Sequence, residues 1–311
     1  MDLSIIIPAF NEEDSLKILL DEIQSVLSPS NYKYEILFID DGSTDNSWVL
    51  IKSFMNQHVK GIRFNQNMGK SAALDVGFAH VSGKVVITMD ADLQDDPNEI
   101  LDLYDMIIHD KYDLVSGWKK KRLDPFSKTI PTKLYNWATR IMSGIDLHDF
   151  NCGLKAYSLQ VVRSLSLSGE MHRYIPLLAK HAGYVNIGEK IVNHRERSYG
   201  VTKYGGWNRF SNGLLDLISI SFLHKFGKTP MHFFGLLGII CFFIGFLIAI
   251  YLTYTKIILL QFNMTDRPLF YLGILCMILG AQLFLSGFLG ELIIRNKPIS
   301  HFEKINEKIG F

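Results

Sequence analysis

Two aspartates one residue apart, Asp90 and Asp92, close the apolar run Lys84-Val85-Val86-Ile87-Thr88-Met89, and Gln94 follows two positions later. The β-branched residues of that run predict a buried strand, so both carboxylates emerge where the strand meets solvent. In an open parallel sheet, ligands bind in the crevice beyond the carboxyl ends of the strands. Hard carboxylate oxygens at that point suit a divalent cation that shares its coordination with an anionic ligand. An isolated Asp-x-Asp is also an ordinary exposed loop with a helix cap, and the neighbouring strand ends decide between the two.

Those ends repeat the pattern. Leu3-Ser4-Ile5-Ile6-Ile7 runs into Pro8-Ala9-Phe10-Asn11 and a predicted helix from Glu12 to Leu27, with Asn11 as its cap. Tyr34 to Ile39 runs into Asp40-Asp41-Gly42-Ser43-Thr44-Asp45, whose turn residues start another helix. A third strand, Gly61 to Phe64, leads through Asn67-Met68-Gly69-Lys70 to a helix from Ser71 to His80. Four strand-helix units predict an α/β fold with a doubly wound, mostly parallel sheet. Its functional edge collects Pro8, Asn11, Asp40, Asp41, Lys70, Asp90 and Asp92, more polar groups than helix capping requires. Gly69-Lys70-Ser71 resembles the end of a phosphate loop, but Phe64 stands where that loop needs glycine. No Gly-x-Gly-x-x-Gly turn follows the first strand either, which leaves a metal to manage the phosphates of a bound nucleotide.

Further on, a predicted helix from Pro97 to His109 and a strand from Asp113 to Gly117 precede a basic segment. From Lys119 to Arg140 there are seven Lys or Arg, Lys133 among them, against the single acid Asp124. Such a segment attracts an anion or an anionic lipid surface. Asp149 to Tyr157 then places Asp149, Gly153 and Lys155 between two predicted helices, the second running from Met171 to Ala182 and beginning with His172 and Arg173. A strand from Val185 to Val192 leads into the loop His194 to Gly205, where Arg195, Arg197 and Lys203 read either as a solvated linker or as a clasp for an anion.

The 311 residues are 48% hydrophobic, unevenly spread: about 229 to 294 is nearly free of charge. Met231 to Leu252 and Leu269 to Ile294 each exceed the ~20 apolar residues that cross hydrocarbon. Before them, Trp207 to Phe226 gathers Phe210, Leu214, Leu217, Ile218 and Phe222 on one helical face, suited to the headgroup region. Lysines and arginines flank the pair of spans on one side, which predicts both ends in the cytosol, and the N-terminus lacks the basic region of a signal peptide. Gly273, Gly280 and Gly287 recur every seventh residue, a small-residue stripe that admits another helix. The expected organisation is a catalytic domain at 1–206, an interfacial helix at 207–228, a membrane hairpin at 229–294 and a cytosolic tail at 295–311. Three cysteines, two of them in the apolar runs, exclude a disulfide framework or a Cys-rich metal site.

Asp40-Asp41-Gly42-Ser43-Thr44-Asp45, Asn67-x-Gly69-Lys70 and Asp90-Ala91-Asp92-Leu93-Gln94 together resemble the inverting family 2 glycosyltransferases of GT-A fold. With Asp149 to Tyr157, the Arg195 to Tyr204 loop and the two spans, the chain looks like the polyprenyl-phosphate glycosyltransferases, of the bactoprenol glucosyl transferase and dolichyl-phosphate mannose synthase kind. The resemblance implies that Pro8, Ala9, Glu12, Asp40, Asp41 and Lys70 serve a UDP-sugar donor, and that Asp90, Asp92 and Gln94 hold Mg2+ or Mn2+. It further implies that Lys119, Lys133, Arg195, Arg197 and Lys203 meet the phosphate of a polyprenyl acceptor. The expected catalytic residues are Asp90, Asp92, Asp149 and Lys155, with Asp149 either orienting the acceptor or shaping the sugar site. Lysine at 119 and 133 stands where relatives often carry arginine, a point charge in place of a two-pronged fork. Glucose is the sugar expected from the resemblance, the product serving cell-envelope or O-antigen modification. The setting is the inner membrane, with lipid as a partner, a homo-oligomer as the assembly and no nucleic acid. A processive polysaccharide synthase should carry a Gln-x-x-Arg-Trp segment and more spans; a nucleotide-binding scaffold or flippase subunit is the reading from another class.

Overall fold

Leu3–Ala9 forms strand β1 in the middle of an eight-stranded sheet of order β7-β5-β6-β4-β1-β2-β3-β8 in the computed structural model. The structure describes residues 1–120, 136–137, 139–141, 143–169, 171–195, 230–258, 264–295 and 305–310. Strands β2 (Tyr34–Asp40), β3 (Val59–Phe64) and β4 (Val85–Thr88) run parallel to β1 as neighbours or next neighbours, and β5 (Leu114–Trp118) pairs in parallel with β7 (Ile187–Ile191). Two strands break the rule. Strand β6 (Lys155–Ser158) lies antiparallel between β4 and β5, and β8 (Ile305–Ile309) closes the opposite edge antiparallel to β3. The stretch around Lys155, expected as a connection between helices, is therefore part of the sheet. So is Ile305–Ile309, within the stretch expected as a cytosolic tail.

Alternation along the strands builds two apolar layers. Ile5 and Ile7 of β1, Ile36 and Phe38 of β2, and Val85 and Ile87 of β4 pack on the face covered by helices α1 (Glu13–Leu27), α2 (Ser47–Ser53) and α4 (Glu99–Ile108). Ile6, Leu37, Ile39 and Val86 face the other way, onto α3 (Lys70–His80), α5 (Leu159–Ser164) and α6 (Ile175–His181). Because both faces are covered, the strands read as unbroken apolar runs. Each fully buried isoleucine contributes about 1.5–3 kcal/mol over an exposed one. At Gly77 of α3 a side chain would lie 2.7 Å from Ile6 Cγ2, so glycine lets that helix reach the sheet.

The described residues divide into two units, one holding those up to 195 together with 305–310, the other those from 230 to 295. The second is a hairpin of helices α7 (Leu236–Ile257), which a π-helical turn at Met231–Gly235 precedes, and α8 (Pro268–Arg295). Met231–Ile257 and Pro268–Ile293 have mean hydropathies of 2.8 and 2.1 and are long enough to cross a membrane. Their backbones meet at glycines: a Cβ on Gly280 would lie 2.5 Å from Phe242 N, and one on Gly238 would lie 2.6 Å from Gly280 O. The glycine stripe of α8 thus faces α7 of the same hairpin. The expected interfacial helix at 207–228 lies outside the described residues.

Candidate active site

Ala9 and Asp40 are paired across β1 and β2, so the loops that follow begin side by side. They are laced together. Asn11 takes a left-handed φ of 52°, its N–H donates to Ser43 Oγ at 2.9 Å, and Thr44 N–H donates back to Asn11 Oδ1 at 2.8 Å. The cap position of α1 is Glu12, without a side-chain cap, and Glu12 N–H donates to Ser47 Oγ at 2.9 Å. Asn11 is therefore a tie between loops where a helix cap was expected. The expected donor residues Pro8, Ala9, Glu12, Asp40 and Asp41 do share one edge of the sheet.

Asp40 is fully buried; its Oδ1 accepts Ser43 N–H at 3.0 Å and its Oδ2 pairs with Arg63 Nε at 3.1 Å. Burial nevertheless raises its pKa, with the Ser43 contacts and Arg63 opposing. Asp41 is 5% exposed and accepts N–H bonds from Met68 at 2.6 Å and Gly69 at 2.9 Å, one on each oxygen. Here too burial dominates and pushes the carboxyl up to about 6. Asp41 thus fixes the 66–69 turn, in which Gly69 has a φ of 87° and hands over to Lys70 at the start of α3.

Lys70 Nζ donates to Asp90 Oδ1, joining the third helix to the end of β4. Burial would raise Asp90, but Lys70 above all, then Lys119, bring it down to about 2, so it is ionised at neutral pH. A side chain at position 153 would have to displace this carboxylate, whose Oδ2 would lie 2.3 Å from its Cβ. Asp92 sits in the next turn, where Leu93 has a φ of 60° and Gln94 N–H donates to Asp92 Oδ1 at 3.2 Å. Among the described residues no three His, Cys, Asp or Glu side chains converge as an ion cage. That donor set, two carboxylates and an amide, still fits Mg2+ or Mn2+, since such ions commonly take one or two carboxylates and leave other positions to substrate phosphates and water.

Asp95, which the sequence reading passed over, is central to this corner. It is 1% exposed, its Oδ1 pairs with Lys119 Nζ at 2.8 Å, and its Oδ2 accepts Asp90 N–H at 3.3 Å. Burial would lower the Lys119 pKa, but Asp95 foremost holds it above the ordinary lysine value. Arg195 is likewise committed, donating to Glu22 Oε2 at 2.6 Å and Asp96 Oδ1 at 2.8 Å, while its N–H reaches Gln94 O at 3.0 Å. Both cations, expected on an acceptor phosphate, brace the Asp90–Asp96 turn in this structure. Lys133, Arg197 and Lys203 lie outside the described residues.

Asp149 and Lys155 are buried, and both shape the loop between them. Asp149 Oδ1 accepts Asn151 N–H at 3.0 Å, and Lys155 Nζ donates to the carbonyls of Phe150, at 3.2 Å, and Cys152. Burial, with Lys70 adding to it, lowers the Lys155 pKa. Beside this loop lies a small pocket whose walls include Lys70, Thr88, Lys155, His172 and Arg173. Ser71 Oγ accepts His172 N–H at 2.9 Å and lies 3.1 Å from Nδ1, and burial holds His172 well below the usual imidazole range. The sheet edge therefore holds Asp90 and Asp92, Lys70 bonded to Asp90, and a small pocket with cationic side chains in its walls.

Residues 4–165 match the profile of Glycosyl transferase family 2. The dodecaprenyl-phosphate galacturonate synthase of Rhizobium johnstonii is 34% identical over 302 residues, covering 95% of this chain and 88% of that protein. The undecaprenyl-phosphate 4-deoxy-4-formamido-L-arabinose transferase of Aeromonas hydrophila is 32% identical over 295 residues, covering 94% and 88%. Among solved structures, glucosyl-3-phosphoglycerate synthase from Mycobacterium tuberculosis, in complex with Mn2+, UDP-glucose and phosphoglyceric acid, superimposes with a TM-score of 0.52 at 21% identity, over 72% of this chain and 79% of that one. At that identity the likeness establishes the fold alone.

Proposed function

Since the chain belongs to glycosyl transferase family 2, we propose that it transfers a sugar from a UDP-sugar to a polyprenyl phosphate at the surface of the inner membrane. The observation that carries this reading is the ionised Asp90, held by Lys70 at the carboxyl edge of the sheet with Asp92 one turn on. Asp90, Asp92 and the Gln94 amide are the groups that would hold Mg2+ or Mn2+, which would neutralise the departing diphosphate. Pro8, Ala9, Glu12 and the Asp40–Asp41 pair form the donor side. The acceptor is a phosphate monoester with a second pKa near ~6, so it arrives anionic and needs orientation more than a general base. Asp149, buried and bonded to its own loop, accordingly positions that loop, and Lys155 does the same. With Lys119 and Arg195 engaged by carboxylates, Lys133, Arg197 and Lys203 are the acceptor cations of this proposal.

Glucose, expected from the sequence, has no counterpart in the names of these two relatives, which concern galacturonate and formamido-arabinose. The test is release of UDP from UDP-sugars by the purified full chain. Release is expected to require both a polyprenyl phosphate and a divalent cation. Release that persists undiminished without lipid phosphate would assign the site to hydrolysis or to another acceptor.

A further inference from the structure

We propose that the helical stretch 136–143 seats the sheet-bearing unit on an anionic lipid surface, with Trp137 and Ile141 as the side chains that enter the headgroup region. Every described residue of this stretch is helical. Its amphipathicity is inverted. Asn136, Thr139 and Ser143, three polar residues at helical spacing, are 8%, 0% and 7% exposed, whereas Trp137 and Ile141, one turn apart, are 61% and 62% exposed. The inward side is fixed by hydrogen bonds: Asn136 Nδ2 donates to His148 O at 3.0 Å, Asn136 Oδ1 accepts Phe150 N–H at 3.4 Å, and Ser143 Oγ accepts Ile145 N–H at 3.2 Å. Lys180 of α6 donates to the carbonyls of Ser143 and Gly144, each at 2.9 Å. Rolling the apolar pair inward would break these bonds and leave buried polar groups unpaired, so the fold itself keeps Trp137 and Ile141 outside.

Charge and area choose the occupant. Asn136 holds the His148 backbone, the His148 ring stacks on Trp118 at 4.1 Å, and Lys120 Nζ lies 5.5 Å from the centre of the Trp118 ring. Both described ends of the basic segment, Lys119–Lys120 and Arg140, therefore come together at this helix. Arg140 itself donates to Leu147 O at 3.1 Å and 3.0 Å and lies 3.7 Å from exposed Asp146, and the segment as a whole carries seven cations against Asp124. Cations beside an exposed tryptophan suit a leaflet of anionic lipid, which attracts the first and takes the indole at headgroup level. A second copy is a poorer match, since a stable interface takes ~800 Å² from each partner, well beyond what two side chains expose. A bilayer is also at hand, because two helices of the same chain are long and apolar enough to cross one. This surface is separate from the interfacial helix expected at 207–228, and it does not depend on the transfer reading.

The experiment places the full chain in nanodiscs of phosphatidylcholine and phosphatidylglycerol whose acyl chains carry bromine, a quencher of indole fluorescence, and compares them with discs of ordinary lipid. Trp137→Phe supplies the baseline, because subtracting its emission from that of wild type leaves the emission of Trp137. That difference is expected to fall several-fold in the brominated discs. Ile141→Asp, a change at an exposed position that leaves the core untouched, should restore most of it by lifting the helix from the lipid. Discs of phosphatidylcholine alone should quench Trp137 less, and equal quenching in both lipids overturns the choice of an anionic surface. Trp137 emission that is the same in brominated and ordinary discs overturns the proposal. If that unquenched emission also changes between one and two chains per disc, the face belongs to a second copy instead. Quenching that Ile141→Asp leaves unchanged overturns it as well, since the helix face would then not be what meets the lipid.

Discussion

At neutral pH the Asp41 carboxylate carries its charge in surroundings that favour the neutral acid. Its folded pKa of about 6 lies above the ordinary 3.8, so between those values the folded chain holds the extra proton and stability falls as pH rises through the window. Asp41→Asn removes this titration. The variant's stability relative to wild type should therefore improve by up to roughly 3 kcal/mol between pH 4 and pH 7, measured by denaturant unfolding in detergent. A constant offset across that range would mean that Asp41 titrates normally. Asp92→Asn addresses the cation: it should abolish transfer and leave the melting temperature unchanged, because the turn keeps its shape while a metal loses a charged ligand. Full activity of that variant in the presence of EDTA removes the metal from the proposal. Asp90 and Asp92 were legible in the sequence because an apolar run points straight at them. Asp95 and Arg195 were not, since nothing local says that one turns inward to Lys119 or that the other reaches Glu22 on the first helix.

At the scale of elements, the polar groups behind the sheet matter as much as those at its functional edge. Glu35 of β2 is 1% exposed and accepts from Ser4 Oγ at 2.6 Å, Lys60 Nζ at 2.9 Å, Ser82 N–H at 2.8 Å and Ser82 Oγ at 2.9 Å. Strands β1, β2 and β3 and the turn before β4 are thereby pinned at one point. Burial would raise the Glu35 pKa, but the bonds from Ser4, Lys60 and Ser82 outweigh it, so its stabilisation is present above the ordinary glutamate pKa and is lost as pH falls. Glu35→Ala should cost about 3–5 kcal/mol, with any surviving folded protein keeping its KM for the UDP-sugar. A cost below 1 kcal/mol in chemical denaturation would show the network to be dispensable. The parallel strands and their helices were readable from apolar runs ending in turn residues. Strand β6 escaped because Lys155-Ala156-Tyr157-Ser158 is too short for its alternation to register, and its place is fixed by pairing with β4 and β5, which are distant in sequence.

For the molecule as a whole, the glycines of the hairpin yield a clear prediction. Gly280→Leu drives a side chain into the α7 backbone at Phe242 and should splay the two helices. Cys241 and Cys276 lie in contact on the facing helices, so copper-catalysed cross-linking within one chain reads their approach. The cross-link should fall several-fold in the variant; an unchanged yield would mean that the hairpin accommodates leucine. The sequence revealed the stripe but left its partner open, and since α7 takes it, the stripe no longer argues for a homo-oligomer. The last strand has a consequence in time. Strand β3 ends at Phe64 and its neighbour β8 begins at Ile305. At ~5–20 residues per second, the ribosome therefore leaves the β3 edge unpaired for roughly 10–50 seconds. During that interval the nascent sheet offers a row of free N–H and C=O groups to any other chain. The hairpin is synthesised before the edge can close, so the membrane receives this protein while its sheet is still unfinished, and a stop codon anywhere before Ile305 would leave it so permanently.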